Sequence, residues 1–197
     1  MKYFKLLLIV FVLVLFQLKD SSNGNSETVF LVMKPLDSSS REFSIMGASG
    51  ANSTIIYTLG HISEPISIEF WLDHYLNGQY KEKILDLQTY LSKSEKENRL
   101  YIFNRTTEST KPLWTITLRQ NRDLSVLSNS ITQPTADSSV RNFKVYPNLY
   151  IKKGKETSLG IISIILGSND NQFNVNDSEE ETIKKSDEVF IIKCRIE

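Results

Sequence analysis

The fold is decided by residues 66–87, which read ISIEFWLDHYL, then Asn77-Gly78, then QYKEKILDL. Apolar and polar side chains alternate from residue 66 onward, which is the pattern of a strand with one buried face. Asn77-Gly78 supplies the two positive φ angles that a two-residue type I′ turn requires. The stretch therefore predicts an antiparallel hairpin centred on this turn.

Pairing about the turn separates the side chains onto two faces. Ile68, Phe70 and Leu72 would lie on an apolar face that belongs in the core. The opposite face would gather aromatic and acidic side chains, namely Glu69, Trp71, Asp73, Tyr75, Tyr80, Glu82 and Asp86. This register sets acidic side chains directly opposite one another, for example Glu69 and Asp86, so we expect a β-bulge to break it.

The second half of the same region also allows a helical interpretation. Tyr80, Ile84, Leu87 and Leu91 would form one stripe of a helix, and residues 80–96 are rich in the helix-favouring residues Lys, Glu, Leu and Gln. The sequence therefore leaves open a short helix between residues 87 and 96.

Short strand-like segments recur along the rest of the chain, separated by clusters of Ser, Thr, Asn, Gly and Pro. They comprise residues 28–33, 42–46, 54–59, 99–104, 113–119, 124–128, 142–146, 158–166 and 188–196. Residues 158–166 and 189–192 are apolar on both faces, as in interior strands, whereas the acidic residues 168–181 are expected to form a solvated loop. The pattern predicts an all-β, antiparallel two-sheet sandwich, either immunoglobulin-like or jelly-roll-like.

The N-terminus has the features of an export signal. Lys2 and Lys5 precede an uninterrupted apolar run at residues 6–16, which as a helix would span about half of the ~30 Å hydrocarbon core of a membrane. We predict a signal peptide at residues 1–24, followed by one β-sandwich domain at residues 25–197. The alternative is an uncleaved N-terminal anchor, which would be the protein's one membrane contact, so the predicted location is secreted or cell-surface.

Composition excludes several classes of function. The chain has 23 basic and 23 acidic residues and no basic block, so it lacks the electrostatic signature of a nucleic-acid-binding protein. Its single cysteine, Cys194, rules out an internal disulfide framework and a cysteine-ligated zinc site, and it lies in an apolar segment that predicts a buried thiol. Export without cysteine pairs is compatible with a surface protein of a Gram-positive bacterium.

The aromatic and acidic face of the hairpin is the candidate binding site. Sugar C–H groups stack on aromatic rings while sugar hydroxyls donate to carboxylates, so Trp71, Tyr75 and Tyr80 among the neighbouring acids suit a polysaccharide. An alternative function for the same face is a secreted, glycosidase-like hydrolase that uses two of its carboxylates as acid and base.

Two further clusters carry charge. Asp170, Asn174 and Asp177 offer oxygen ligands for Ca²⁺, although the glycine of a calcium-binding loop is missing after residue 167. Lys152-Lys153-Gly154-Lys155 is expected to form an exposed turn, and its lysines could contact an anionic wall polymer or lipid headgroups.

No catalytic nucleophile motif, metal-ligand spacing or cofactor motif is recognisable in the sequence. We therefore expect no cofactor and no enzymatic activity. The predicted function is an exported binding or envelope-associated module whose partner is a protein or a polysaccharide.

Overall fold

In the computed structural model of the chain, residues 29–94, 97–106, 112–131, 139–166 and 174–197 are described. They form two antiparallel sheets, which confirms the predicted all-β two-sheet sandwich. The strands are β1 (Val29–Pro35), β2 (Ala51–Leu59), β3 (Ile66–Leu76), β4 (Gln79–Leu91), β5 (Asn98–Thr106), β6 (Pro112–Gln120), β7 (Asp123–Ser130), β8 (Ser139–Val145), β9 (Leu149–Lys152), β10 (Thr157–Leu166) and β11 (Glu188–Ile196). Two short helices, α1 (Arg41–Ala48) and α2 (Glu179–Lys185), complete the described elements.

The strand order brings distant segments of the chain together. One sheet has the order β7-β6-β5-β2-β1-β9, and the other has the order β4-β3-β11-β10-β8. β10 and β11 are interior strands of the second sheet, as their apolar sequences predict, and both are buried along most of their length. The β8–β10 edge and the nearby short β9 form the region in which the candidate site described below is built.

The hairpin of β3 and β4 is confirmed. Its turn has φ angles of 49° at Asn77 and 78° at Gly78, which are the positive values that the dipeptide predicted. The register beside the turn is also the predicted one, with Tyr75 opposite Tyr80. The backbone angles of the Asn77-Gly78 turn therefore set the register of the residue pairs next to it.

The expected break in the register is confirmed as well. The pairing of β3 with β4 shifts twice, and these shifts place Asp73 opposite Lys83 and Glu69 opposite Gln88. Without the shifts, both carboxylates would face another carboxylate directly. The shifts therefore remove two pairs of like charges. Asp73 faces the oppositely charged Lys83, and Glu69 faces the uncharged Gln88.

The main core lies between the two sheets. β3 contributes Ile68, Phe70 and Leu72, as the alternation predicted, and the opposing sheet contributes Tyr57 and Trp114 among its fully buried side chains. The burial of these large side chains is the main favourable contribution to folding, at about 1.5–3 kcal/mol for each apolar side chain.

A second, smaller cluster lies on the opposite face of β10 and β11. It contains Ile161, Val189 and Ile191, and Ile183 of α2 packs against it. α2 therefore covers part of the outer face of the five-stranded sheet, which explains why these two strands are apolar on both faces.

The two sheets are joined along both sides of the sandwich. On one side β4 contacts β7, where the Asn129 side-chain amide donates to the Ile84 carbonyl at 2.8 Å. On the other side β9 contacts β11. Within the sandwich the buried Tyr57 hydroxyl of β2 shares its one proton between the carbonyl of Leu159 in β10 and, at 3.0 Å, that of Tyr146. These bonds hold the segment after β8 against the core.

Several sequence-based predictions of local structure are wrong. Residues 42–46 belong to α1 rather than to a strand, and the short apolar-polar alternation there was misleading because α1 has no fully buried residue. The alternative helix between residues 87 and 96 is wrong for the described part, because β4 continues to Leu91. The acidic loop ends earlier than expected, since α2 begins at Glu179 behind a capping box formed by Ser178 and Glu181. β9 was not predicted.

The predicted signal peptide at residues 1–24 lies outside the described residues. Within the described part of the chain, neither helix has the length and apolar content that crossing a membrane requires.

Candidate ligand-binding site

The acidic and aromatic side chains that the sequence singled out lie mainly on one face of β3 and β4. This face, which we call the hairpin face, is opposite to the core and carries Glu69, Trp71, Asp73, Tyr75, Tyr80 and Asp86. Glu82 points to the other side, because it pairs with His74, whose Nδ1 lies 3.9 Å from the Glu82 carboxylate. The His74 ring stacks on the core residue Phe190, so Glu82 does not contribute to the hairpin face.

Cations cover the centre of the hairpin face. Glu69 is only 3% exposed, and its carboxylate accepts hydrogen bonds from Lys83 and, at 2.8 Å, from Arg195. The same two cations flank Trp71, with Lys83 Nζ 4.7 Å from its ring centroid and Arg195 Cζ 6.0 Å away. Trp71 is 5% exposed, so a sugar could stack on it only after displacing these side chains.

Asp73 belongs to a second ion-pair chain on the same face. Lys193 Nζ lies 2.9 Å from Asp73 and 2.5 Å from Glu156. Burial alone would lower the pKa of Lys193, but its hydrogen bonds to Glu156 and Asp73 outweigh that effect and raise the pKa. The hydrolase hypothesis needs a carboxyl group that exchanges protons with a substrate, whereas the buried carboxylates of this face are held in ion pairs.

The remaining members of the hairpin face are more open. Tyr75 is half-buried and meets Tyr80 edge-on, with ring centroids 5.5 Å apart. Tyr80 is exposed, as is Asp86, which pairs with Lys83 at 3.0 Å. The exposed part of the predicted platform is therefore smaller than the sequence suggested.

A groove of about 430 Å³ is formed where β10 and the segment after β8 meet β9 of the six-stranded sheet. Its lining, which we call the tyrosine–lysine groove, consists of Tyr146, Leu149, Tyr150, Lys152, Lys155, Glu156, Thr157, Ser158 and Glu179. The volume falls in the range of ~300–1,000 Å³ that is usual for sites of small molecules or short segments of a polymer. The groove is thus lined by two tyrosine rings, by the hydroxyls of Thr157 and Ser158, and by charged side chains.

Two positive-φ residues shape the segments that build this groove. Asn148, with φ 47°, lies where the chain crosses from β8 in one sheet to β9 in the other, and Gly154, with φ 69°, lies in the turn that reverses the chain between β9 and β10. Because β9 is only four residues long, Tyr146 and Tyr150 lie close to Lys155. The turn predicted at Gly154 is confirmed.

Tyr146 is the fixed wall of the groove. Its carbonyl accepts from the Tyr57 hydroxyl, and its own hydroxyl donates to the Glu179 carboxylate at 3.4 Å. Burial, reinforced by the nearby Glu179 carboxylate, raises the pKa of the Tyr146 phenol to about 12. The ring is therefore neutral at physiological pH, while Tyr150, 60% exposed, offers the accessible aromatic face.

The groove lining carries two lysines, Lys152 and Lys155, and two carboxylates, Glu156 and Glu179. Glu156 shares the Lys193 ammonium with Asp73, and Glu179 accepts a hydrogen bond from the Tyr146 hydroxyl. Among the described residues, neither Lys153 nor Lys155 forms an ion pair with a carboxylate, and both are exposed. The side of the groove next to the turn at residues 152–155, which we call the lysine turn, is therefore positive.

A second depression, of about 330 Å³, lies between α1 and the β8 edge. Its lining is mostly apolar and includes Phe43, Ile55, Phe143 and Val145, with no charged side chain. It therefore provides few groups that could orient a polar ligand.

The calcium candidate is only partly described, because Asp170 lies outside the described residues. Asp177 forms an ion pair with Lys185 at 2.7 Å, and the Asn174 side-chain oxygen accepts from the Asn176 amide at 3.0 Å. Both oxygen donors thus take part in the local structure that leads into α2. The described residues contain no group of three or more His, Cys, Asp or Glu that could hold a metal ion.

Sequence reasoning identified the lysines of the groove but missed its tyrosines. Tyr146 and Tyr150 lie two residues before and two residues after Asn148 in a turn-forming segment, and this spacing was an available signal. No spacing rule could have added Glu179, because α2 reaches the groove only through the packing of the sheet.

Comparison with known proteins places the chain in a family. The YgaN domain family matches residues 32–196, which extend from β1 into the end of β11, and the chain therefore belongs to this family. Neither the curated proteins nor the solved structures contained a match.

Proposed function

We propose that this YgaN-domain protein is an exported, non-enzymatic binding module of the cell envelope, and that its tyrosine–lysine groove binds a polysaccharide of the cell wall. The groove is the observation that carries the proposal, since it combines an exposed aromatic face with hydroxyl and charged groups in one open space. The apolar leader at residues 6–16 supports export.

The chemistry of the lining suits sugar rings. Tyr150 presents a face on which sugar C–H groups can stack, while Thr157, Ser158 and Glu179 offer partners for sugar hydroxyls. An open groove admits a polymer that extends beyond it on both sides, whereas an enclosed cavity would admit only a small molecule. The binding function therefore requires no bond breaking and no cofactor.

The hairpin face supports this role less well. Its central ring, Trp71, is covered by Lys83 and Arg195, and Glu69 is already bonded to both cations. Binding there would move these cations away from Glu69, whose side chain is 4% exposed, and would leave its carboxylate as a buried charge without a partner. The tyrosine–lysine groove needs no such rearrangement.

The test is co-sedimentation of the purified protein with isolated Gram-positive cell walls. We expect the wild-type protein to sediment with the walls and Tyr150→Ala to bind about tenfold more weakly, because it removes the exposed aromatic face. Tyr90→Ala is the matched control, since Tyr90 is 74% exposed on β4, an edge strand of the other sheet that does not line the groove. No sedimentation of the wild-type protein, or equal weakening by both variants, would refute the proposal.

A further inference from the structure

We infer that the polysaccharide bound in the tyrosine–lysine groove is polyanionic, namely a wall-linked sugar-phosphate polymer, and that the lysine turn between β9 and β10 recognises its negative charge. This inference rests on the proposed function and specifies its ligand.

The turn between β9 and β10 brings exposed lysines to the groove. Lys155 lines the groove, and Lys153 stands on the other side of Gly154, whose φ of 69° closes the turn; both lysines are exposed. Lys144 adds a third cation nearby, with its Nζ 5.2 Å from the Tyr146 ring centroid and hydrogen-bonded at 2.6 Å to a backbone carbonyl, that of Asp177. Among the described residues, these three lysines form no ion pair with a carboxylate.

The acidic residues of the lining offset part of this charge. Lys193 lies 2.5 Å from Glu156 and 2.9 Å from Asp73, so one cation serves two carboxylates. Glu179, from α2, accepts a hydrogen bond from the Tyr146 hydroxyl at 3.4 Å. The three lysines still outnumber the two negative charges that remain, so a polyanionic chain can place its charged groups at the lysine turn and its sugar rings against Tyr150.

The groove distinguishes a charged glycan from a simple anion or a flat charged surface. A phosphate group alone would use the lysines and leave the aromatic face empty. A lipid surface would contact the exposed turn, whereas Tyr146, half-buried and held through its carbonyl by Tyr57, lies behind it. Charge complementarity at the lysine turn and aromatic stacking in the groove together match a polymer that alternates sugar or polyol units with phosphodiesters.

The test compares two preparations of the same cell walls, one intact and one stripped of its phosphodiester-linked polymer with hydrofluoric acid. We expect the protein to bind the intact walls at least tenfold more tightly than the stripped walls, and to lose this preference as the salt concentration rises. Lys153→Ala/Lys155→Ala should weaken binding to intact walls about tenfold, while Lys81→Ala, an exposed lysine on β4, should leave it unchanged. Thermal melting of each variant verifies its folding.

The outcomes separate the two claims. Equal binding to intact and stripped walls overturns the polyanion inference and leaves glycan binding standing, whereas no binding to either preparation refutes the proposed function itself. Equal or tighter binding to phosphatidylglycerol vesicles assigns the lysine turn to a lipid surface and overturns the inference. If Lys153→Ala/Lys155→Ala and Lys81→Ala weaken binding to intact walls equally, the lysine turn has no specific role and the polyanion inference is overturned.

Discussion

At the scale of single residues, burial decides how titratable groups behave. Cys194 is fully buried in the core, and burial raises the pKa of its thiol from the usual value near 9.0 to about 12. A thiol in this state is neither nucleophilic nor accessible. The cysteine is therefore a packing residue, as its apolar neighbours in the sequence predicted.

The raised pKa has a consequence for stability at alkaline pH. Above pH 9 the unfolded chain loses a thiol proton that the folded protein keeps, so stability that is fully present at pH 8 falls as the pH rises toward 12. From Cys194 alone we expect a loss on the order of 1 kcal/mol between pH 8 and pH 10. Urea unfolding at both pH values measures this loss, and Cys194→Val should reduce it. An equal pH dependence in the variant would contradict the assignment.

A second residue-scale prediction concerns the buried pair of His74 and Glu188. The Glu188 carboxylate is 2% exposed and lies 2.9 Å from His74 Nε2, beside the stacked Phe190 ring. Glu188→Leu leaves the imidazole without this partner, so we expect the free energy of unfolding to fall by about 2–3 kcal/mol. Glu188→Gln retains a hydrogen-bonding oxygen and should cost less. An unchanged free energy of unfolding of Glu188→Leu in urea would contradict a stabilising role for this bond.

At the scale of elements, short local signals set the turns and helix ends. The turn after β3 needs a positive φ at Gly78, where an added Cβ meets only the Ile183 carbonyl, at 3.9 Å. Gly78→Ala should therefore cost about 1–2 kcal/mol through backbone strain alone. Gly47→Ala in α1 is the matched control, because an added Cβ there has nothing within 4 Å, and it should be neutral or stabilising. Equal effects on the unfolding free energy would contradict this account of the turn.

α2 depends on its first turn. The Ser178 hydroxyl accepts from the Glu181 amide at 3.2 Å, and the Glu181 carboxylate accepts from the Ser178 amide at 2.8 Å. Ser178→Ala should lower the free energy of unfolding by about 1 kcal/mol, and Ser178→Asp, which keeps an acceptor, should largely preserve it. The measurement is urea denaturation of both variants, and an unchanged stability of Ser178→Ala would count against the cap.

The elements also show which parts of the fold can be predicted from sequence. The alternation of residues 66–76 and the Asn77-Gly78 turn are local signals, and both predicted the structure that forms. The shifts in register were expected from opposed charges, but their positions depend on how β3 packs across the core, which a single strand does not reveal. α1 was misassigned because its few partly buried side chains leave a pattern too short to separate helix from strand.

At the scale of the whole molecule, the candidate site is a product of topology. The lysine turn was visible in the sequence, whereas its combination with Tyr146 and Glu179 depends on the placement of β8, β10 and α2. The hairpin face shows the converse, because its carboxylates were visible in the sequence but the cations that cover them, Arg195 and Lys193, come from β11. The candidate site therefore lies beside β9 and β10 rather than on the hairpin face.

The most direct test of the central claim is a map of the binding surface. Backbone amide NMR of the protein, titrated with soluble sugar-phosphate polymer released from cell walls, should show the largest shift changes within residues 146–158 and little change in β3 and β4. Shift changes centred on Trp71 and Tyr80 would instead place the binding site on the hairpin face and contradict the groove assignment. No saturable change at all would contradict a glycan-binding function.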